Sequence, residues 1–124
     1  MSSINALLLV FVGGGTGAAL RYLVGLAIKP VPSGFPVATF LINVLGCFLI
    51  GVAASFIKPE QTTVRNLLIV GFLGGFTTFS TFANESLQLF NIGASKTGLL
   101  YLILSNICGI VAVYTGARLF VIFN

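Results

Sequence analysis

The sequence predicts an all-α membrane protein of four transmembrane helices, the third of them broken near mid-membrane, and three observations carry that expectation. Of the 124 residues, 57% are hydrophobic and 6% are charged, and the mean hydropathy is +1.13. A soluble domain of this size cannot cover its surface with so few charges, so the solvent is lipid. The chain divides into four apolar runs, at about residues 4–28, 36–57, 66–91 and 97–123. Each is long enough for the roughly 20 residues that a bilayer crossing needs. Prolines mark the ends of these runs and never interrupt one: Pro30, Pro32 and Pro36 bracket the first connection, and Pro59 opens the second. The first run lacks a positively charged leader and is too long for a signal-peptide core, so it reads as a retained span. The whole chain is expected to form one four-span domain in a cell membrane.

Charge narrows the function classes. Six Lys and Arg oppose two Glu, with no Asp and no His, for a formal net charge of +4. Most acid-base catalysis and nearly every metal site built from side chains are thereby excluded. The basic residues stand singly along an apolar chain and make no face for nucleic acid, which leaves lipid head groups or a small anion as partners. Cys47 and Cys108 lie inside apolar runs and act as small hydrophobes, with no disulfide expected.

The first span contains VGGGTGAALRY, with Gly13, Gly17 and Arg21 at four-residue steps, a spacing that lets helix backbones approach closely. Arg21 either snorkels to the interface or places a fixed positive charge beside a vestibule, where it attracts anions or holds subunits together. In the second span, Thr39 and Asn43 lie one turn apart and Gly46 and Cys47 continue their stripe. A carboxamide is costly in hydrocarbon, so Asn43 must face the bundle or a cavity, either bonding another helix or replacing water around an anion. The fourth span repeats the theme with Tyr101, Ser105 and Asn106, followed by Gly109 and Ala112.

The third span reads VGFLGGFTTFSTFANES. Gly74 and Gly75, followed by Thr77, Thr78, Ser80 and Thr81, are poor material for an unbroken helix, because glycine is flexible and hydroxyls compete for backbone bonds. Backbone carbonyls freed by a break survive at membrane depth only inside protein, against a cavity or on an ion. Phe76, Phe79 and Phe82 recur every three residues, a stripe that in isolation is core packing but here alternates with hydroxyls across the expected break. An aromatic ring has a positive edge, so phenylalanine edges facing hydroxyl and amide donors suit a small anion without a fixed charge beside it.

Topology follows from the basic residues near span ends. Lys58, Arg65 and Arg118 lie on one side, and Lys29 and Lys96 on the other. Three against two is almost no bias under the positive-inside rule, so the chain either inserts in both orientations or settles in one for reasons the count misses. Four spans with too few polar groups to line a path alone favour two copies placed antiparallel.

GGGTGAALRY, PVATFLINVLGCFLIG and GFLGGFTTFSTF together resemble the Fluc (CrcB) fluoride channels over essentially the whole chain. The resemblance implies a fluoride-selective passive channel that protects microbes from cytoplasmic fluoride, built as an antiparallel dual-topology homodimer with two pores. It implies Phe79 and Phe82 as pore rings, Asn43 as a fluoride contact, and Thr39, Ser80 and Thr81 as a polar track beside them. Tyr101 and Ser105 match a pore-lining tyrosine and serine, whereas Gly109 stands where some members carry another serine. One structural sodium ion at the dimer centre is implied, held by backbone carbonyls of Gly74 and Thr77 from each chain, with no organic cofactor. Arg21 and Glu85 match charged residues of the family. Glu85 is either stabilised in an aqueous vestibule by a cation or hydrogen bonds, or protonated, or a modulator of entry.

Three rivals are weaker. A small multidrug-type proton-coupled exporter needs an ionisable carboxylate in its first span, and none is present. An intramembrane enzyme lacks His, Asp and paired carboxylates. An accessory subunit explains the glycines but not the hydroxyls and phenylalanines clustered in the third span. A heterodimer with a sister chain remains open beside the homodimer.

Overall fold

In the computed structural model, residues 1–123 are described, with side chains through Leu119. Helix α1 spans Ser3–Ala27, and its first turn is capped by the Ser2 hydroxyl, which accepts from the Asn5 N–H at 3.3 Å. Helix α2, Val37–Phe56, starts directly after Pro36, where a missing N–H costs no hydrogen bond. The third stretch is composite. A short α3 (Thr62–Val64) begins inside the segment read as a connection, and it leads into a π-helix over Arg65–Leu73 and then α4 (Gly74–Phe76). Thr77 and Thr78 follow, and α5 covers Phe79–Asn91. Helix α6 runs over Ser95–Phe123. Among the described residues every regular element is helical, and four stretches are long and apolar enough to cross a membrane: Ser3–Ala27, Val37–Phe56, Thr62–Asn91 and Ser95–Leu119.

The turn between α5 and α6 shows how sequence sets a boundary. Gly93 has φ +79°, the left-handed conformation that glycine adopts without Cβ strain. Its N–H donates to the Phe90 carbonyl at 3.1 Å, and the Ala94 N–H reaches back to Leu89 at 2.9 Å. This pair of bonds satisfies helix-end carbonyls and reverses the chain within a few residues.

Glycine also decides which helices pair. A Cβ on Gly13 would overlap the Leu67 carbonyl oxygen, one on Gly17 the Phe72 carbonyl, and one on Gly75 the Gly14 carbonyl. The first span therefore lies backbone to backbone against the π-helix and α4. The second and fourth spans pair by the same means, since a Cβ on Gly51 would overlap the Val113 carbonyl and one on Gly116 the Phe48 carbonyl. Lipid offers no hydrophobic drive for helix association, so dispersion contacts at such close approach carry the packing. Where α5 meets α6, Phe82, Leu89 and Tyr101 form a small buried core, with Phe35 and Phe40 against it.

Candidate functional site

The site is organised around Thr77 and Thr78. Thr77 has φ −78° and ψ 158°, and Thr78 has φ −151° and ψ 109°, so both are extended between two helical segments. Thr77 keeps contact with the turn before it: its N–H and its hydroxyl both donate to the Leu73 carbonyl, at 3.1 and 2.9 Å. Thr78 serves the helix after it. Its hydroxyl oxygen accepts from the Thr81 N–H at 3.3 Å and donates to the Thr81 hydroxyl at 2.9 Å, capping α5.

Helix α2 meets this step along the stripe Thr39, Asn43 and Gly46. The Asn43 carboxamide donates to the Thr78 carbonyl at 3.0 Å and accepts from the Thr78 N–H at 2.8 Å. One turn on, Gly46 makes room for Thr77, whose methyl group occupies the place a Cβ would take. One turn back, Thr39 Oγ1 donates to Glu85 Oε1 at 2.8 Å. The other carboxylate oxygen, Oε2, accepts from the Tyr101 hydroxyl at 2.8 Å. Thr39 and Tyr101 are buried, so the carboxylate is anchored by hydroxyl donors from two other spans.

A cavity of about 330 Å³ opens beside the extended step, with Asn43, Gly74, Thr77, Phe79, Phe82 and Ser105 among its lining residues. Its wall is mostly apolar and includes no charged side chain. Ser105 Oγ is buried there with no protein partner among the described residues. The two rings differ sharply in setting: Phe82 is 8% exposed, whereas Phe79 is 78% exposed. Their centroids are 5.7 Å apart. Phe82 also meets Tyr101 edge to face at 5.0 Å, which links the cavity wall to the Thr39–Glu85–Tyr101 cluster.

The predicted residues thus fall into three places. Asn43, Phe79, Phe82 and Ser105 line the cavity together with Gly74 and Thr77, and Thr39, Tyr101 and Glu85 form the adjoining cluster. Thr81 is tied to Thr78, and Ser80 is exposed at the start of α5. Arg21 stands outside the cavity lining, half-buried, with its Nε unpartnered among the described residues. Two contributors are absent from the sequence-derived set. Thr78 lies in the hydroxyl run that signals a poor helix, and a threonine three residues before Thr81 is the pattern of a cap. Phe35 packs its ring on Tyr101 at 5.3 Å from the first connection, where no periodicity marks it.

A family model described as "CrcB-like protein, Camphor Resistance (CrcB)" matches residues 8–117. The chain belongs to the CrcB-like family. Relatives include the protein named "Fluoride-specific ion channel FluC" of Phocaeicola vulgatus, 45% identical over 115 residues, covering 90% of this chain and 95% of the relative. Proteins of the same name from Prosthecochloris aestuarii and Chlorobium phaeobacteroides are 44% and 41% identical over 120 and 122 residues. They cover 93% and 94% of this chain and 92% of each relative. A CrcB-like chain with four spans is a multi-pass cell-membrane protein.

Proposed function

We propose that this CrcB-like chain is a fluoride-selective passive channel that lets fluoride leave the cytoplasm, and not an enzyme. The observation that carries the reading is the uncharged cavity lined by Phe79, Phe82 and the buried Ser105 hydroxyl, which has no partner among the described residues. A strongly hydrated anion needs replacement donors to enter such a space, and ring edges with hydroxyl and amide N–H groups provide them. Because no cation lines the cavity, the anion is not held too tightly to leave. The names of the relatives, all fluoride-specific channels, support the choice of ion. Neutral hydrogen fluoride enters from acid surroundings and dissociates inside, and an inside-negative potential then drives fluoride out without ATP, organic cofactor or proton coupling.

The functional unit is an antiparallel homodimer with two pores, each wall completed by the other chain. Two features support this: the cavity is walled on one side by a ring as exposed as Phe79, at 78%, and the basic residues at span ends divide three against two. In this reading the third span is broken near mid-membrane, and the extended backbone at Thr77 and Thr78 supports it. Polar lining by Ser80, Thr81 and the Thr39–Tyr101–Ser105 side follows, with Arg21 and Glu85 at the approaches.

A sodium ion fits the chemistry of the step. No cluster of three or more His, Cys, Asp or Glu exists among the described residues, so the available donors for a hard cation are carbonyl oxygens. Gly74 and Thr77 line one cavity, and their carbonyls would hold the ion together with those of a second copy. Its charge would join the two chains at their centre.

The test is anion efflux from liposomes loaded with potassium fluoride or potassium chloride, started by valinomycin and read with ion-selective electrodes. Rapid fluoride release with little chloride release is expected. Fluoride retained by folded, dimeric protein would refute the reading.

A further inference from the structure

The resemblance to channel relatives casts Asn43 as a contact for the ion, and its carboxamide, which lines the cavity, also bonds the backbone of the third span. Its Oδ1 accepts from the Thr78 N–H at 2.8 Å while its Nδ2 donates to the carbonyl of the same residue at 3.0 Å. In a helix, one residue's N–H and C=O point to opposite ends of the axis, and no single amide can reach both. They point the same way only when the residue is extended, as in the antiparallel pairs in which two residues exchange both bonds. Thr78, at φ −151° and ψ 109°, is in that state, and the Asn43 side chain stands where a neighbouring strand would. The paired geometry therefore forms with an extended Thr78 and is lost if the helix continues through it.

We infer that Asn43 is a positioning residue: its two bonds hold Thr78 extended and so fix where α5 begins and where Phe79 and Phe82 lie. Thr78 is buried, so its N–H and C=O have no bulk water to fall back on if the amide is removed. Thr78 in turn caps α5 through Thr81, which transmits the placement to the helix bearing both rings. Gly46 adds to the same fit by admitting the Thr77 methyl group one turn away. This inference rests on the channel reading for its consequence in flux, but not for the structural claim itself.

Two measurements on the full-length protein test it. The first is residue-resolved amide hydrogen exchange in micelles, comparing the natural protein with Asn43→Ala and Asn43→Asp. Asn43→Ala should speed exchange at Thr78 by about tenfold or more, the size expected for one lost buried bond, while Thr77, bonded to Leu73, keeps its protection. Asn43→Asp still offers an oxygen to the Thr78 N–H and should keep that amide protected, which a general loosening of the fold would not do. Equal protection of Thr78 in Asn43→Ala overturns the inference.

The second measurement needs no side-chain change and covers the case in which Asn43→Ala does not fold. Replacing Thr78 by its α-hydroxy acid turns the amide into an ester, deletes the N–H opposite Oδ1 and leaves Asn43 intact. Fluoride efflux from liposomes should fall several-fold relative to the all-amide protein. Unchanged efflux would mean that the pairing has no role in conduction. If the all-amide protein itself passes no fluoride, the channel reading fails, and the exchange pattern still decides whether Asn43 holds Thr78.

Discussion

The Tyr101 hydroxyl donates to Glu85 Oε2 at 2.8 Å, and the ring that carries it lies edge to face on Phe82 with centroids 5.0 Å apart. One side chain thus anchors the carboxylate and buttresses a ring of the cavity wall. With Thr39 on the other oxygen, both carboxyl oxygens of Glu85 are met by hydroxyls. Leaving the buried partner of such a bond unsatisfied costs about 1–3 kcal/mol.

Tyr101→Phe separates these two duties. The ring contacts to Phe82 and Phe35 remain, while Glu85 loses one donor. Stability in micelles is expected to fall by about 1–3 kcal/mol. Thr39→Val removes the other donor, and the double variant combined with Glu85→Gln should be strongly non-additive, because all three groups form one cluster. Additive losses in a thermal unfolding series would separate them.

The glycines of the first span make a sharp contrast. A Cβ at Gly17 would overlap the Phe72 carbonyl, whereas nothing lies within 4 Å of one at Gly15. Gly17→Ala is expected to cost about 3 kcal/mol, at the high end for overpacking because the obstacle is backbone. Gly15→Ala should change stability by less than about 0.5 kcal/mol. Melting temperatures of the two variants in the same detergent check both.

Phe79 and Phe82 should respond differently to isoleucine. Phe82 is buried, so Phe82→Ile lowers both stability, by about 1–2 kcal/mol, and fluoride flux. Phe79 is exposed in the single chain, so Phe79→Ile leaves the fold of the chain intact and cuts flux severely if ring edges meet the ion. Flux that survives both substitutions would return the two rings to a packing role.

Charge placement gives a test of topology. Lys29 and Lys96 are exposed and absent from the cavity lining. Replacing both with Ala leaves the basic residues at span ends three against none, which should drive nearly every copy into one orientation. Protease access to a terminal tag should shift from both sides of the membrane to one. Fluoride efflux per unit protein should fall at the same time if the conducting unit is the proposed antiparallel pair.

The sequence alone determined the solvent and the number of spans, because lipid demands long apolar runs and proline cannot sit inside them, but it placed the start of the third span after Thr62, where the helix already begins. It also marked Asn43 as costly in hydrocarbon and therefore in need of a partner, and the double glycine with its hydroxyls as poor material for an unbroken helix. Which partner each one found was decided by tertiary structure. Gly13 and Gly17 are set into the backbone of the third span, while Gly15 between them faces open space, a difference that spacing hints at but only packing reveals. Asn43 and Thr78 are 35 positions apart, as are no local signals, and their pairing exists only once α2 lies against the extended step. The physical reason is the solvent itself. A span surrounded by lipid is apolar on nearly every face, so the periodicity that identifies the buried face of a soluble helix is erased, and close backbone approach and polar pairing choose the neighbours instead.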